Sequence, residues 1–256
     1  MYKGKRVAIV MPAYNAERTL RQTFSEIPHD ITDEVILVDD ASRDHTAQVS
    51  RELGIKTIVH LENKGYGGNQ KTCYRAALDL NADIVVMLHP DYQYTPRLIT
   101  AMVSLIAEGL FDCVLGSRIL GVGALKGGMP VYKYISNRFL TAVQNAIIGY
   151  KLSEYHTGFR AFSKELLLAL PLENNSDDFV FDNQMLCQII FAAYRVGEIS
   201  CPTRYAEDSS SINFTNSLRY GFGVIETSLA FRLHRWGWMR SRLFATLPNN
   251  MQGEIN

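Results

Sequence analysis

The sequence predicts an α/β protein whose mostly parallel, twisted sheet is flanked by helices. Over the first 118 residues, apolar runs of strand length alternate with helix-like spacings of apolar residues, and the loops between them are short. The run at 84–88 (IVVML) is apolar at every position, as expected for a strand buried on both faces. The chain has 256 residues, of which 47% are apolar, enough for one sizeable core.

Each element follows from a local pattern. Pro12 ends the first predicted strand because proline cannot continue a central strand. Ser42 is predicted to cap the second helix, with Asp44 in its first turn, and Pro96 opens a later helix. The predicted strands cover 7–11, 34–38, 56–60, 84–88, 112–115, 157–162 and 196–201. The predicted helices cover 16–27, a segment after 42, 70–80, 96–107, 132–148, 182–194 and 216–238.

The chain is interpreted as one domain over 1–242, followed by a tail over 243–256. The alternating rhythm changes near residue 120, where 121–128 is rich in glycine, so the domain divides into halves at 1–118 and 119–242. We find neither an internal repeat nor a low-complexity linker in the sequence.

Composition excludes some functions. The formal net charge of +0 gives no general attraction to nucleic acid. The four cysteines form no CxxC pair, which is typical of reduced thiols in a cytoplasmic protein. No stretch of the sequence reaches the 18 or more apolar residues typical of a membrane span, so we expect at most peripheral attachment to the inner face of a membrane.

The loop after the fourth strand carries an imidazole, a carboxylate and an amide on alternate residues: His89, Asp91 and Gln93. Ligands bind at the carboxyl ends of the strands in open α/β sheets. Three oxygen or nitrogen donors there suit a divalent cation, which in turn suits a diphosphate. The alternative is a polar strand-to-helix loop in which Asp91 is a local cap.

The other strand-end loops should converge on the same crevice. They carry PAYN at 12–15, the pair Asp39-Asp40, a glycine-rich turn at 64–69, and Ser117-Arg118. Adjacent carboxylates require compensation from a ligand donor or a cation, although helix capping is the alternative for this pair. The glycine turn allows close approach of the backbone to a ligand, but it is neither a GxGxxG nor a Walker motif.

Together, the motifs PAYN, VDDAS, the glycine turn, the aspartate motif and GSR resemble family 2 of the inverting glycosyltransferases, which have the GT-A fold. The resemblance covers about residues 5–240 and is closest to the polyprenyl-phosphate glycosyltransferase (dolichyl-phosphate mannose synthase) branch. It implies a nucleotide-sugar-binding half and an acceptor half, a UDP- or GDP-linked donor, a polyprenyl phosphate or glycan acceptor, and Mg²⁺ or Mn²⁺ at His89, Asp91 and Gln93. The residues predicted to hold the donor are Pro12, Ala13, Tyr14, Asn15, Glu17, Asp39, Asp40, Gly67, Asn69, Lys71 and Pro90.

Two departures from the branch matter. His89 replaces the first aspartate of the metal motif, which lowers the negative charge by one and should weaken metal binding or favour a softer ion. The branch's basic Arg-x-x-Gly-x-Ser-Lys segment corresponds here to 205–211, which lacks basic residues. The candidates to grip an acceptor phosphate are therefore Arg118, Lys133, Arg138, Arg160 and Arg204.

The resemblance also suggests catalytic groups. Arg118, with the metal, would neutralise the departing diphosphate. A phosphate acceptor is already anionic, whereas a hydroxyl acceptor needs a general base, for which Asp177, Asp178 and Asp182 are candidates. The alternative is that Asp177 and Asp178 are favourable charges at a helix N-terminus. His156 is a further candidate for contact with substrate.

Aromatic and arginine side chains mix in the last helical region, 220–244. This composition suits a membrane headgroup layer or a membrane-protein partner. Packing against the core or against a second subunit of a homo-oligomer is the alternative.

Two other functional classes remain open at this point. A sugar-1-phosphate nucleotidyltransferase shares the sheet topology, but it would need a GxGTR-type loop where this chain has MPAYN. A degenerate, non-catalytic protein that binds a nucleotide sugar or a glycan is the second, and His89 is the residue that favours it.

Overall fold

One seven-stranded sheet organises the chain. The computed structural model describes residues 1–121, 123–203 and 214–247. The strands are β1 (Val7–Ala13), β2 (Glu34–Asp39), β3 (Lys56–Val59), β4 (Ile84–Met87), β5 (Cys113–Ser117), β6 (Arg160–Ser163) and β7 (Val196–Ser200). The α-helices are α1 (Glu17–Ser25), α2 (Thr46–Glu52), α3 (Gly65–Asp79), α4 (Ile99–Ala107), α5 (Gly123–Lys126), α6 (Val131–Ile148), α7 (Lys164–Ala169), α8 (Phe181–Phe191) and α9 (Phe214–Arg235).

The strand order is β3-β2-β1-β4-β6-β5-β7. All neighbouring pairs are parallel except the two that involve β6, so the predicted α/β class with a mostly parallel sheet is confirmed. Because β6 runs antiparallel between β4 and β5, its first residue, Arg160, pairs with Met87 near the end of β4. The segment just before β6 therefore lies beside the loop that follows β4.

Strand β1 continues through Pro12 to Ala13, two residues beyond the predicted end. Its pairing with β4 stops at Val10, whereas its pairing with β2 extends to Ala13 and Asp39. The proline therefore lies where β1 has a neighbour on one side only, so its missing N–H removes no bond to β4.

The predicted glycine turn is the first part of α3, which begins at Gly65 rather than at residue 70. The buried carboxylate of Asp40 accepts hydrogen bonds from the backbone N–H groups of Lys64 (2.8 Å) and Gly65 (3.0 Å). These donors have no partner inside the helix, so Asp40 acts as its cap. Ser42, the predicted cap of α2, instead accepts a bond from the Asn15 N–H at 2.8 Å.

Apolar clusters cover both faces of the sheet, because alternate residues of each strand face opposite sides. Ala8 and Val10 belong to one cluster, and Val7 and Ile9 to the other. The first cluster includes Phe244 and Leu247, so the core extends into the segment predicted as a tail. Residues 248–256 of that tail, and the 205–211 segment with Arg204, lie outside the described residues. The four cysteines are free, as the sequence predicted, and all four are buried.

Candidate active site

A cleft of about 1180 Å³ opens at the carboxyl ends of β1, β4 and β5. It brings together most of the side chains that the sequence singled out, from loops far apart in the chain. Those that line it are Pro12, Ala13, Tyr14, Asn15, Asp40, Asn69, His89, Pro90, Asp91, Gln93, Arg118, Lys133, His156, Asp178 and Asp182. The cleft-lining set does not include Glu17, Asp39, Gly67 or Lys71.

The loops after β1 and β2 are hydrogen-bonded to each other. The Asn15 side chain accepts a hydrogen bond from the Arg43 N–H at 2.8 Å, and Glu17 accepts one from the His45 N–H at 2.8 Å. Glu17 is thus engaged in loop contacts rather than in the cleft. Asn15 and Ala41 adopt φ of 53° and 57°, left-handed values that non-glycine residues rarely adopt. Strained backbone of this kind commonly occurs at ligand sites.

The paired aspartates have separate environments. Asp40 caps α3 and also contacts His60 Nδ1 at 2.7 Å, so capping, the alternative given from sequence, accounts for its burial. Asp39 accepts one bond, from the Ser42 N–H at 3.2 Å. Its Oδ1 is buried without a hydrogen-bond partner among the described residues. Such an orphan acceptor is costly in isolation, and donors on a bound ligand would satisfy it.

Two predicted donor-binding residues of α3 contact protein instead. A Cβ on Gly67 would lie 2.4 Å from the Ser176 carbonyl oxygen, so this glycine allows the 176–177 backbone to pack on α3. Lys71 donates to the Asn175 carbonyl at 2.6 Å and to the Asp177 carboxylate at 2.7 Å. Asn69 does line the cleft, and it ties the ends of β1 and β2 together through the Ala13 and Val38 carbonyls.

The loop after β4 places three donors on the cleft: His89, Asp91 and Gln93. Asp91 accepts a bond from the Gln93 N–H at 3.1 Å, and Tyr92 between them adopts a φ of 56°. Among the described residues, no three His, Cys, Asp or Glu side chains are close enough to form a complete metal site. A carboxylate, an imidazole and an amide are donors compatible with Mn²⁺ or Mg²⁺. Three donors leave coordination positions on the ion that a bound diphosphate or water would have to fill.

Both carboxylate oxygens of Asp182, a predicted general base, accept hydrogen bonds from protein side chains. Asp182 is buried, and its Oδ2 accepts from the Tyr66 hydroxyl at 2.6 Å while its Oδ1 accepts from Gln70 Nε2 at 3.0 Å. The Tyr66 hydroxyl also lies 3.0 Å from His89 Nε2. Burial, with the charge of Asp182, raises the pKa of Tyr66 well above its ordinary value. Sequence reasoning missed Tyr66 because it lies between glycines in a segment that reads as a turn.

Asp178 is the more accessible of the two candidate bases. Its side chain is 43% exposed, and its Oδ2 lies 3.6 Å from Arg219 Nη1. Its Oδ1 accepts a bond from the Phe179 N–H at 2.7 Å, and Asp178 lies three residues before α8, near the helix N-terminus that the sequence offered as its alternative position.

Arg118 lines the cleft, but its charge is already matched. Its guanidinium forms an ion pair with the fully buried Glu154, and Asn137 donates to the same carboxylate at 2.7 Å. The positive charge of Arg118 lowers the pKa of Glu154 against the effect of burial. No motif in the sequence marked Glu154.

Arg160 is a correction to the list of phosphate-gripping candidates. It is fully buried and donates to the backbone carbonyls of Tyr155, Thr157 and Asp182, so it stabilises the fold and does not reach a substrate. Arg138 donates to the Ser153 carbonyl at 3.3 Å. Lys133 lines the cleft, where burial and the nearby Arg118 lower its pKa.

An apolar stripe leads from the surface into the cleft. It consists of Tyr132 and Phe139 of α6 with Leu218 and Phe222 of α9, each more than half exposed and each lining the cleft. Of the aromatic residues in 220–244, for which the sequence left membrane contact and core packing open, Phe231 and Phe244 are buried in the core, whereas Phe222, Trp236 and Trp238 are exposed. Within the described residues, none of the helices is both long and apolar enough to span a membrane.

A model of the family described as Glycosyl transferase family 2 matches residues 8–170, more than half of the chain. The chain belongs to glycosyl transferase family 2. This family 2 glycosyltransferase is 28% identical over 222 residues to the UDP-N-acetylglucosamine–dolichyl-phosphate N-acetylglucosaminyltransferase of Methanococcus voltae, covering 80% of this chain and 88% of that protein. It is 26% identical over 175 residues to the dolichol-phosphate mannosyltransferase of Pyrococcus furiosus, covering 65% of this chain and 49% of that protein.

Solved structures confirm the GT-A fold. The glucosyl-3-phosphoglycerate synthase of Mycobacterium tuberculosis, in complex with Mn²⁺, UDP and glucosyl-3-phosphoglycerate, superposes with a TM-score of 0.67 at 20% identity. The match covers 93% of this chain and 82% of that one. The same protein with Mg²⁺ and UDP gives a TM-score of 0.69. The family resemblance drawn from the sequence is confirmed, and the nucleotidyltransferase alternative is excluded.

Proposed function

We propose that this glycosyltransferase moves a sugar from a UDP- or GDP-linked donor to a polyprenyl phosphate, with inversion at the anomeric carbon. The observation that carries the acceptor class is the apolar stripe, which runs from an exposed helix face directly into the cleft. An isoprenoid chain would bury this surface and remove its apolar area from water. The relative from Methanococcus voltae is named for a dolichyl-phosphate acceptor and a UDP-linked donor.

The donor would occupy the side of the cleft formed by the loops after β1, β2 and β4. Tyr14 is half exposed there, Asn15 is held in place by the neighbouring loop, and the nearby Asp39 has an acceptor to satisfy. Divalent cation binding falls to His89, Asp91 and Gln93. When bound, Mg²⁺ or Mn²⁺ would offset the negative charge that develops on the leaving diphosphate.

The acceptor phosphate would meet Lys133, which lies in the cleft close to Arg118. Because Glu154 neutralises Arg118, Lys133 is the cleft cation with more charge available to a phosphate. The ion pair between Arg118 and Glu154 would then stabilise the part of the cleft that Arg118 lines. A phosphate oxygen is already anionic and attacks without a base.

A glycan hydroxyl is the second candidate acceptor, and the exposure of Asp178 is the observation that favours it. A carboxylate in the cleft could take the proton of an attacking hydroxyl. In either case we place the enzyme at the cytoplasmic face of a membrane, where Phe222 of α9 and the following Trp236 and Trp238 would contact the lipid surface.

Nucleotide binding and transfer test the proposal together. UDP and GDP binding are measured by calorimetry with and without Mn²⁺, and transfer is then assayed from matched sugar donors to farnesyl phosphate or to an oligosaccharide. We expect metal-dependent binding and transfer to the lipid phosphate, and Asp91→Ala should abolish the metal dependence. Asp30→Ala, a change at an exposed residue that does not line the cleft, is the control.

The outcomes separate the alternatives. Transfer only to the oligosaccharide, lost on Asp178→Asn, would establish the hydroxyl acceptor. Tight binding without any turnover would establish the non-catalytic alternative. Unaltered donor turnover in Asp91→Ala would show that the ion lies elsewhere.

A further inference from the structure

A chain of hydrogen bonds links Tyr74 to His89, and its donors converge on the carboxylate of Asp182. The Tyr74 hydroxyl donates to Gln70 Oε1 at 2.8 Å, and Gln70 Nε2 donates to Asp182 Oδ1 at 3.0 Å. The Tyr66 hydroxyl donates to Asp182 Oδ2 at 2.6 Å and lies 3.0 Å from His89 Nε2.

The direction of this chain fixes the proton on His89. An ionised carboxylate only accepts, so Tyr66 must give its single proton to Asp182. The Tyr66 oxygen can then act only as an acceptor toward His89, which requires the proton of the neutral imidazole to reside on Nε2. Gln70 cannot reverse the chain without losing the bond that its Oε1 receives from Tyr74.

The position of the His89 ring is restricted as well. The ring stacks on Tyr66 with centroids 5.5 Å apart and an interplanar angle of 21°. Gly158 packs against it, and a Cβ there would lie 2.4 Å from His89 Nε2. The other ring nitrogen, Nδ1, has no hydrogen-bond partner among the described residues, and His89 lines the cleft together with Asp91.

We infer that Tyr66 and Asp182 are positioning residues that hold His89 as its Nε2–H tautomer, so that the Nδ1 lone pair is a neutral ligand for the donor's divalent cation. The inference rests on the proposed function, because it concerns the same ion. It gives Asp182 a role other than general base. It also predicts a preference for Mn²⁺ over Mg²⁺, because imidazole nitrogen suits the softer ion better than a site of oxygen ligands does.

Asp182→Asn tests the direction of the chain. Gln70 would keep the remaining carbonyl oxygen as its acceptor, so the new amide N–H would face Tyr66. The Tyr66 proton would then turn toward His89 Nε2, and the imidazole proton would move to Nδ1, where it blocks the metal. We expect a 10- to 100-fold loss of Mn²⁺ affinity, the range typical of partners behind a metal ligand.

Two readouts are used. Retention of Mn²⁺ in the presence of UDP is measured by electron paramagnetic resonance, and Mg²⁺ competition gives the selectivity. The ¹⁵N shifts of the histidine rings in metal-free protein report the tautomer directly, with His89→Gln identifying the resonance. Asp177→Asn makes the same change of charge on an exposed carboxylate nearby and should leave both readouts unchanged.

The same Asp182→Asn substitution is also made in a His89→Asp protein, which serves as the control. With a carboxylate at this position there is no tautomer to set, so Asp182→Asn should no longer reduce Mn²⁺ affinity, and the Mn²⁺ preference over Mg²⁺ should fall. If Asp182→Asn does not fold, Tyr66→Phe removes the same contact and should lower Mn²⁺ affinity about tenfold.

The tautomer separates this inference from the proposed function. The inference would be overturned if His89 of the wild-type protein were protonated on Nδ1. It would also be overturned if Asp182→Asn reduced Mn²⁺ affinity equally in the wild-type and His89→Asp proteins, whether or not the ion binds as proposed. An Nε2–H tautomer in a protein that retains no Mn²⁺ with UDP would instead overturn the ion assignment on which both statements depend.

Discussion

At the residue scale, His156 shows how the cleft changes side-chain chemistry. Its Nδ1 is hydrogen-bonded to the Tyr220 hydroxyl at 2.8 Å, and its Nε2 is buried without a partner among the described residues. Burial lowers the pKa of His156 to about 4, with Glu154 acting in the opposite direction and Arg118 and Arg160 in the same one. The imidazole is therefore neutral at physiological pH, so it adds hydrogen-bonding capacity but no charge to the lining of the cleft.

This lowered pKa predicts a pH-dependent stability. Below about pH 6.5 the unfolded chain binds a proton at His156 that the folded protein does not bind until about pH 4. The free energy of unfolding should therefore fall as the pH drops from about 6.5 to about 4, by about 1–3 kcal/mol from this group. Urea unfolding at several pH values measures it. His156→Gln should flatten the slope in this window, and His45→Gln, an exposed histidine, should not; equal slopes in wild type and His156→Gln would refute the assignment.

At the element scale, the start of α3 shows how one helix end serves the site. Asp40 caps the helix, Tyr66 in its first turn reaches Asp182 and His89, and Asn69 ties it to β1 and β2. The capping carboxylate is stabilising because it satisfies free N–H groups at the positive end of the helix dipole. The close contact of Gly67 with the 176–177 backbone holds the start of α8 beside this helix.

Gly67→Ala tests that contact. The new methyl group would lie 2.4 Å from the Ser176 oxygen and 2.7 Å from Phe181 Cβ, so the backbone must move and the free energy of unfolding should fall by about 1–3 kcal/mol. Gly221→Ala in α9 is the control, because nothing lies within 4 Å of its Cβ. There the higher helix propensity of alanine should raise stability by about 0.5–1 kcal/mol. Equal changes in the free energy of unfolding for Gly67→Ala and Gly221→Ala, measured with denaturant, would show that the backbone around Gly67 accommodates a methyl group.

At the scale of the whole molecule, polar and apolar groups from the two halves of the chain line the same cleft. Strand-end loops of the first half present polar groups, and α6 and α9 of the second half present the apolar stripe. Under the proposed function, the charged diphosphate of a sugar donor would contact the polar groups, and the isoprenoid chain of an acceptor would contact the stripe.

The apolar stripe predicts membrane association. Phe139→Ser combined with Phe222→Ser should reduce co-sedimentation with phosphatidylcholine–phosphatidylserine vesicles several-fold, because less apolar surface is buried on contact. The matched control is Leu61→Ser, which removes a fully exposed leucine near β3. Thermal stabilisation by UDP should be the same in all variants. Undiminished vesicle binding in the double variant would show that the stripe is not a membrane contact.

Local patterns in the sequence determined much of this protein. Apolar runs and their turn residues predicted the strands and most helices, and the order of PAYN, VDDAS and GSR indicated the family, which the family match and the fold confirm. These features are local because backbone preference and the period of apolar residues act over a few positions. The antiparallel insertion of β6 between β4 and β5 is not local, and it emerged only with the pairing of distant residues.

The tertiary structure decided which polar residues face the cleft and which face each other. Asp178 and Asp182 lie four residues apart, yet one is exposed and the other is held by Tyr66 and Gln70. Arg118 and Arg160 both lie near strand ends, yet one lines the cleft opposite Glu154 and the other is buried on backbone carbonyls. Charge and hydrogen bonding depend on the distance between groups and on their burial. Folding sets both by joining segments that the sequence separates by up to 116 positions.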